Sequence, residues 1–365
     1  MIQATFRLLL LFAALPASAT SLGIRVPPGA SSVAYAINTN GQVAAVVSVP
    51  NGRQRGLLVE HGRATALGLP GGGDSDAHGI NAAGVVVGSA TDAQGHSRAY
   101  LYDRVHGIRT LGTLGGQGSY GMAINNRAMV TGFADTKTGA FHAFLHDGST
   151  MRDLGTLGGT LSNASGINDA GQVVGAATLR DERRHAFVYD AARGMVDLGT
   201  LGGKSSAAAA INNAGHIVGA AETAGGIWHA FIYDGKRMTD LGALIGAGDS
   251  YATSINRAGH VVGTVQVKDE RRSFIWRDGQ MIVFRGGQGL FAVNHINDAG
   301  QVVGAIRGTQ LEAAIMSANA VPGDVPNALR TLLPAALFSV LAAAILVLQR
   351  KRYRGLSWRS LFERR

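Results

Sequence analysis

The chain has 365 residues, no cysteine and a formal net charge of +9, and its lack of thiols excludes thiol catalysis, disulfide exchange and thiolate-based zinc sites. Most of the charge lies at the ends: seven basic residues and one acidic residue lie from Arg350 onward, and Arg7 adds one more, which leaves the body a net charge near +2. A nearly neutral body offers no stripe of cations for phosphates, so nucleic acid is not expected as a partner.

The first 19 residues have the composition of a secretory signal peptide. Arg7 precedes an apolar run at residues 8–15, and residues 17–19 form a cleavage site of small side chains. Such a run is too short to span a bilayer. We therefore expect residues 1–19 to direct export and to be removed; the alternative is a buried N-terminal helix.

Residues 20–320 repeat one motif seven times. The clearest copy, GINDAGQVVGAA, occupies residues 166–177. Its isoleucine recurs every 41 to 44 residues, at Ile37, Ile80, Ile124, Ile167, Ile211, Ile255 and Ile296. Each period contains four short runs rich in Val, Ile, Phe and Tyr and bounded by Gly, Asn or Asp, as strands are. Four strands per ~43 residues is the spacing of a propeller blade, and the sequence therefore predicts an all-β fold, a seven-bladed β-propeller.

The two ends of the repeat region complement each other. The seventh repeat, at residues 290–320, stops before any counterpart of the GMVDLGTL segment of the fourth repeat, and SLGIRV at residues 21–26 matches that missing element. We predict that residues 21–26 complete the seventh blade and leave no free strand edge. The alternative, a linear solenoid, would need capping repeats.

The most regular residues of the motif have structural explanations. The asparagine after each isoleucine is expected to open a tight turn, with its side chain bonded to the backbone two residues on. The glycine three residues after the asparagine suits a left-handed conformation. Ala128 replaces this glycine in the third copy, and we expect that hairpin to be the most strained of the seven or to have a different shape.

Another hydrophobic segment lies near the C-terminus. Residues 332–348 are apolar or small, and as a helix they would rise roughly 25 Å, near the lower limit for a bilayer span. The cluster QRKRYR follows directly, and basic residues after a span mark its cytoplasmic side. We predict a linker at 321–331, a transmembrane helix at 332–348 and a basic cytoplasmic tail at 349–365. The propeller would then be anchored to the cytoplasmic membrane, in the periplasm or outside.

Three strings recur in a fixed order: HAFLHD, HAFVYD or HAFIYD, then M-x-DLG, then GIN-x-AG-x-VVG. This combination resembles the HAF family of extracellular repeats, over residues 21–316. The resemblance implies an exported bacterial repeat protein and transfers no catalytic residue. The first, second, sixth and seventh copies depart from the HAF tripeptide. Some such proteins end in a Val-Pro-Glu-Pro sorting signal; VPGDVPN at 321–327 lacks the Pro-Glu-Pro core, and we favour a retained anchor over a cleaved one.

One histidine and one aspartate recur with the repeat: His142, His185 and His229, and Asp153, Asp197 and Asp240. Equivalent positions in different blades lie too far apart to share a metal, so bonds to a neighbouring strand or turn are expected. The sequence has no H-E-x-x-H, no G-x-S-x-G and no calcium loop of alternating aspartates. GGGDSDAH at 71–78 is the only acidic cluster with a histidine among the variable positions. We expect no catalytic residue, no metal site and no cofactor.

The residues that depart from the repeat are the candidates for ligand binding. In the first strand of each blade, the residues four and two positions before the isoleucine vary while their neighbours stay small. A period of two places both positions on one face, near the central channel or its mouth. The candidate ligand-binding residues are Asp76, His78, Tyr120, Asn163, Tyr251 and Asn294. This mixed aromatic and polar set suits a sugar or a peptide; the alternative is that the variation only tunes packing between blades.

These predictions describe an exported, membrane-anchored β-propeller that acts as a non-catalytic binding or scaffolding module at a bacterial cell envelope. Its partner would be an envelope protein or a glycan. The competing interpretation is a glycan-active enzyme with its site at the mouth of the channel, which would need convergent carboxylates or a metal there. A structural spacer without a specific ligand is the third interpretation.

Overall fold

The computed structural model describes residues 19–50, 52–244, 248–284 and 289–318. Seven four-stranded antiparallel sheets make up this part of the chain, and each sheet is one blade of a β-propeller. The predicted all-β class and the seven blades are therefore confirmed. The predicted linker, transmembrane helix and basic tail lie outside the described residues, as does the signal peptide except for Ala19. Within the described ranges, no helix has the length and hydropathy needed to cross a bilayer.

Blades 1 to 6 are meanders whose four strands follow one another from the channel outwards, and in blade 7 three strands do so and the outermost strand comes from the N-terminal segment. Blades 1 to 3 contain Ser31–Ile37, Val43–Ser48, Gln54–Glu60 and Arg63–Leu67; Gly79–Ile80, Val86–Thr91, Ser97–Asp103 and Gly107–Thr110; and Gly115–Ile124, Val130–Thr136, Phe141–His146 and Met151–Asp153. Blades 4 to 6 contain Gly158–Ile167, Val173–Leu179, Arg184–Asp190 and Gly194–Asp197; Gly202–Ile211, Ile217–Thr223, Trp228–Tyr233 and Met238–Asp240; and Ser250–Ile255, Val261–Val267, Glu270–Arg277 and Gln280–Val283. Blade 7 contains Ala292–Ile296, Gln301–Arg307, Leu311–Ser317 and, as its outer strand, Thr20–Ser21. One turn of 3-10 helix, Gly242–Leu244, follows blade 5.

The first hairpin of each blade is shaped by the repeated asparagine and glycine. The isoleucine pairs with Val or Ile of the second strand, as Ile167 does with Val173. The glycine of the turn has φ between 76° and 84° in six blades, a left-handed conformation that is free of steric cost only for glycine. Ala128 holds this position in blade 3 with φ of 58°. Alanine is strained in this left-handed conformation, and the hairpin keeps the hydrogen bonds of its counterparts and therefore their shape.

The hydrophobic core lies between neighbouring blades. The aromatic residue of the HAF position is fully buried in five blades, as Phe187 is in blade 4. Phe187 belongs to one cluster with Ala164 and Ile167 of its own blade and Ala143 of blade 3. The strands approach so closely that a Cβ on Gly175 would lie 2.0 Å from the carbonyl oxygen of Asn163. This density explains why Ala and Gly recur beside the larger core residues.

The ring is closed by the start of the repeat region. Thr20–Ser21 pairs antiparallel with the third strand of blade 7, and the N–H of Leu22 donates to the carbonyl of Ala313 at 2.8 Å. The prediction that the N-terminal segment completes blade 7 is confirmed. The pairing begins one residue earlier than expected and ends sooner, because Gly23 has φ of 63° and turns the chain away from the sheet.

Candidate functional site

The channel on the axis of the ring has two ends with different chemistry. The first strands of the blades all finish at one end, which we refer to as the asparagine mouth; each repeat isoleucine, the two residues after it and His295 line it. The first and third strands begin at the opposite end, which we refer to as the aromatic mouth because Phe141 and Trp228 start their strands there. Each end is a candidate binding surface.

At the asparagine mouth, seven asparagine side chains form a closed ring of hydrogen bonds. Each Nδ2 donates to the backbone carbonyl of the asparagine in the next blade, at 2.9 to 3.3 Å. The ring runs through Asn38, Asn81, Asn125, Asn168, Asn212, Asn256 and Asn297 and returns to Asn38. All seven are buried, with 3 to 5% of their surface exposed. Every buried amide of the ring therefore has a partner in another blade.

The same asparagines shape their own hairpins. The Oδ1 of Asn38 accepts the N–H groups of Asn40 and Gln42, both at 3.0 Å, and Asn81 makes the corresponding bonds to Ala83 and Val85. The predicted bond to the backbone two residues on is confirmed in these blades. One residue type thus fixes a turn and joins two blades, which explains its recurrence.

The residues that follow the asparagines form a rim around the asparagine mouth that is polar in six of the seven blades: Thr39, Ala82, Asn126, Asp169, Asn213, Arg257 and Asp298. Asp169 accepts the N–H and the Nδ2 of Asn126 and the Nδ2 of Asn213, at 2.7 to 3.0 Å. Burial alone would raise the pKa of Asp169, but these hydrogen bonds hold it below its usual value. Asp169 therefore stays ionised at neutral pH, while Asp298 lies 3.7 Å from Arg257.

His295 is unlike its counterparts, because the residue before the isoleucine is Ala, Gly or Ser in the other six blades. Its imidazole lines a cavity of about 190 Å³ within the asparagine mouth. Its Nδ1 is buried and has no hydrogen-bond partner among the described residues. Burial lowers the pKa of His295 to about 4, against the opposing effect of Asp298, so the imidazole is neutral at pH 7.

The first strands alternate between fully buried and partly exposed residues, as their sequence pattern suggests. In blade 1, Val33 and Tyr35 are partly exposed, whereas Ala34 between them is fully buried. The six candidate residues all occupy partly exposed positions of this kind. Asp76 and His78 contact each other. Tyr120 and Asn163 contact residues of their own blades, and Tyr251 and Asn294 contact residues of a neighbouring blade. The role of all six in ligand binding stays a prediction.

Asp76 and His78 belong to a polar cluster between blades 1 and 2. The Nε2 of His78 lies 3.5 Å from Asp76 Oδ2, and the ring of Tyr35 contacts the imidazole edge-on at 4.7 Å. Asp76 also accepts the N–H of Ser89 through Oδ1, at 2.6 Å. Burial and the charge of Asp76 raise the pKa of Tyr35. The cluster therefore holds one carboxylate that is already bonded to the backbone.

Tyr120 belongs to an aromatic cluster at the aromatic mouth. Its ring stacks on Phe133 at 4.7 Å and meets Phe141 at 6.4 Å. Phe141 is 41% exposed. In the next blade, the guanidinium of Arg184 donates to the side-chain oxygen of Asn163. Two of the candidate residues are thus held in place by the start of a third strand.

Tyr251 has the same kind of neighbour. Its ring stacks on Trp228 of the preceding blade at 6.3 Å, and the N–H of Trp228 donates to Asp249 at 3.0 Å. Burial, with the charge of Asp249, raises the pKa of Tyr251 to about 12. Asn294 differs from these residues, because its Nδ2 donates to the carbonyl of Ala34 across the closing junction at 2.8 Å.

The sequence-based candidates missed the residue that precedes the HAF position. In four successive blades, 3 to 6, this residue is Phe141, Arg184, Trp228 or Arg271. The first three contact Tyr120, Asn163 and Tyr251, and Arg271 lies close enough to Tyr251 for their charges to interact. The sequence does indicate this position, because it varies between blades while the HAF residues that follow it recur. It was missed because only the first strands were searched.

The repeated histidines and aspartates pair with each other inside their blades. The Nδ1 of His142, His185 and His229 lies 2.8 to 2.9 Å from Asp153, Asp197 and Asp240. The aspartates also accept a backbone N–H of the following loop, as Asp197 does from Gly199 at 2.7 Å. The prediction that the histidines bond to a neighbouring strand is therefore confirmed.

A buried serine joins neighbouring blades and also escaped the sequence-based search. Five residues before the isoleucine, six blades carry Ser32, Ser75, Ser119, Ser162, Ser206 and Ser250. Each Oγ accepts a backbone N–H from the third strand of the preceding blade at 2.8 to 3.1 Å, as Ser206 does from Ala186. Blade 7 has Phe291 at this position, so its junction with blade 6 lacks a serine.

Across the described ranges, no group of three or more His, Cys, Asp or Glu side chains is placed to hold a metal ion. The polar side chains of both mouths instead bond to the backbone or to one another. The aromatic mouth offers flat aromatic faces beside amide and guanidinium groups. Such a surface can bind a ligand that has both apolar faces and polar edges.

Comparison with known proteins supports the fold. A family model described as "Protein of unknown function (DUF3466)" matches residues 158–305, less than half of the chain. No curated protein matches the sequence. The β-propeller domain of the Trilobed protease from Pyrococcus furiosus, described as having an open velcro topology, is 13% identical with a TM-score of 0.57, over 78% of this chain and 95% of that domain.

Two peptidases share the propeller over part of their length. A puromycin-hydrolyzing peptidase from Mycobacterium tuberculosis is 13% identical with a TM-score of 0.55, over 78% of this chain and 50% of the peptidase. An acylaminoacyl peptidase from Pyrococcus horikoshii is 12% identical with a TM-score of 0.53, over 77% and 50%. The chain spans half the length of either peptidase. At these identities the likeness shows the propeller fold alone, and a propeller by itself does not indicate catalysis.

Proposed function

We propose that this chain is an exported, membrane-anchored β-propeller that binds a glycan or a protein of the bacterial cell envelope at its aromatic mouth, as a scaffold and without catalysis. One observation supports the proposal. Four successive blades present an aromatic ring or a guanidinium at the same structural position, Phe141, Arg184, Trp228 and Arg271, next to partly exposed residues of the first strands.

This surface has the composition of a binding site rather than of a solvated rim. Phe141, Leu161 and Ile227 are 41 to 44% exposed, and each lies at the start of a first or third strand on this side of the ring. Exposed apolar residues gathered on one face mark interaction surfaces. Aromatic rings supply flat contact area, and the neighbouring Arg184 supplies donors for hydroxyl or carboxylate groups. A glycan chain or an extended peptide satisfies both requirements.

The binding test uses the fluorescence of Trp228 in a chain with Trp276→Phe and Trp358→Phe, titrated with fragments of envelope polysaccharides and with peptides. A ligand of the aromatic mouth should change this fluorescence, and Tyr120→Ala and Phe141→Ala should weaken binding at least fivefold. The matched control is Val105→Ala, because Val105 is 84% exposed on a loop at the opposite end of the ring. Equal losses in all three variants, or binding that ignores Tyr120 and Phe141, would contradict the proposed site.

Export and anchoring are part of the same proposal. They rest on the signal-peptide pattern of residues 1–19, the apolar segment 332–348 and the basic residues after it, together with the resemblance to the HAF family. Export predicts a mature N-terminus at Thr20, which Edman or mass-spectrometric sequencing of the membrane fraction would show. Anchoring predicts a propeller that protease digests in spheroplasts, while a C-terminal reporter stays protected. A protein that leaves the membrane in high-salt washes would contradict the anchor.

The alternative, a glycan-active enzyme, rests on the Asp76–His78 pair between blades 1 and 2. Glycoside hydrolysis usually needs two carboxyl groups on either side of the scissile bond, and this cluster supplies one, bonded to the N–H of Ser89. An enzyme would release shorter oligosaccharides from a bound glycan, and Asp76→Asn would abolish that release without abolishing binding. Intact glycan after prolonged incubation with the wild-type chain would favour the scaffold.

A further inference from the structure

The backbone at the asparagine mouth presents a ring of carbonyl groups to the axis. The first strand is the channel-side edge of every sheet. In all seven blades, the N–H of the repeat asparagine donates to the carbonyl four residues on, at the start of the second strand or one residue before it. In antiparallel pairs, hydrogen-bonded residues alternate with residues whose N–H and C=O point the other way. The preceding isoleucine therefore directs its carbonyl away from its own sheet and into the channel.

These carbonyls lie at one level around the axis. All seven isoleucines occupy the same register against the second strand, as Ile37 does opposite Val43 and Ile167 opposite Val173, and all line the same cavity. Neighbouring first strands are close together at this level: a Cβ added to Gly166 of blade 4 would lie 3.1 Å from the Cα of Ala210 in blade 5. A ring this narrow directs its oxygen atoms at one small volume.

The asparagine carbonyls next to them are already occupied. The oxygen of Asn212, for example, accepts the Nδ2 of Asn168 at 3.2 Å and the N–H of Gly215 at 3.0 Å. The isoleucine carbonyls accept no such hydrogen bond from their own sheet. The surroundings also favour a positive charge. The lining residues include two aspartates and one arginine.

We propose that this axial cavity binds a calcium ion through the isoleucine carbonyls, with Asp169 and Asp298 supplying negative charge at the rim. Ca²⁺ accepts six to eight oxygen ligands, including backbone carbonyls, in flexible geometry, whereas Mg²⁺ demands a near-ideal octahedron at a shorter distance. Seven equivalent oxygens suit the first ion and not the second. Side-chain patterns in the sequence do not register such a site, because its ligands belong to the backbone.

Thr39 offers a test of this site that leaves the ring intact. It is exposed on the rim, and Thr39→Lys places an ammonium group over the cavity. Thr39→Gln is the neutral control. Ser149→Lys adds the same charge on an exposed outer hairpin of blade 3, away from the axis. The purified full chain, stripped with a chelator, is titrated with CaCl₂, MgCl₂ and KCl at constant ionic strength, and binding is followed by calorimetry and by Tm.

Calcium should raise Tm where magnesium does not, and Thr39→Lys should weaken calcium binding at least fivefold while Thr39→Gln and Ser149→Lys leave it within twofold. Crystals soaked in Sr²⁺ should then show an anomalous peak on the axis among the isoleucine carbonyls. Equal responses to Ca²⁺ and Mg²⁺, stabilisation by K⁺ alone, or calcium binding that ignores Thr39→Lys would overturn the proposal. These results are independent of ligand binding at the aromatic mouth.

Discussion

Asn168→Ala would open the asparagine ring between blades 4 and 5. The Nδ2 of Asn168 donates to the carbonyl of Asn212 at 3.2 Å and to Gln172 at 2.8 Å, and its Oδ1 accepts the N–H of Gln172 at 3.0 Å. At about 0.5–1.5 kcal/mol for each net hydrogen bond, the free energy of unfolding should fall by about 2–4 kcal/mol. With an unfolding entropy of roughly 2.1 cal/mol/K per residue, Tm of a ~300-residue domain should fall by about 3–6 °C.

Two further variants identify the origin of this loss in urea unfolding followed by circular dichroism. Asn40→Ala removes a similar bond to the next blade, to the carbonyl of Ala82 at 3.1 Å, but at an exposed site, and should cost under about 1 kcal/mol. Asn168→Asp keeps the acceptor of the turn and replaces the ring donor with an acceptor. Its cost should shrink at low pH, because a protonated carboxyl regains a donor. A loss in Asn168→Ala no larger than in Asn40→Ala would refute the reasoning.

Three more predictions concern single residues. Ser206→Ala removes an acceptor for the N–H of Ala186 and a donor to Gly199 at a buried site, so urea unfolding should show a loss of about 1–3 kcal/mol; an unchanged midpoint would contradict the bridging role. Ala128→Gly should stabilise the chain by about 1 kcal/mol, since it relieves a left-handed alanine, and a lower Tm would argue against strain. Because burial raises the pKa of Tyr251 from 10 to about 12, the unfolded chain loses this proton first, and stability should fall between pH 10 and 12. Tyr251→Phe should flatten that fall, and an identical alkaline profile would contradict it.

The seven-bladed architecture was largely predictable, because the length of the repeat and the number of strands in it indicate a propeller blade. Four short runs per ~43 residues leave few alternatives to a propeller blade. The unfinished seventh repeat also pointed to the closing strand. Its bounds were less predictable, since the end of the pairing depends on the backbone of Gly23, which turns at φ of 63°. A glycine permits a left-handed turn, but its presence in the sequence does not show that the chain turns there.

The asparagine ring was only half predictable. The turn-forming role of Asn38 or Asn168 is local and follows from the side chain's reach to its own backbone. The second bond joins residues 41 to 44 positions apart in six junctions and 259 apart at the closing junction, and it depends on how two blades are oriented. The turn alone explains why the asparagine recurs, so its recurrence does not indicate the second bond, to the next blade.

The candidate site shows a similar division. Alternation along the first strand predicted that Tyr120, Asn163 and Tyr251 share one face, and the structure leaves all three partly exposed. Their partners lie on third strands of the same or the preceding blade, as Trp228 does for Tyr251. Periodicity within one strand carries no information about such contacts. The packing of neighbouring sheets decides them, so the aromatic mouth became visible only when the blades were assembled.

The asparagine ring has a direction, because each blade donates to its successor and accepts from its predecessor. Each repeat therefore carries both halves of the joint that it needs. A gene that duplicates or loses one whole repeat would still encode a ring in which every amide has a partner, whatever the number of blades. The asparagine junction thus allows the number of blades to change during evolution. The closing outer strand and the packing of the core then determine which blade numbers give a folded ring.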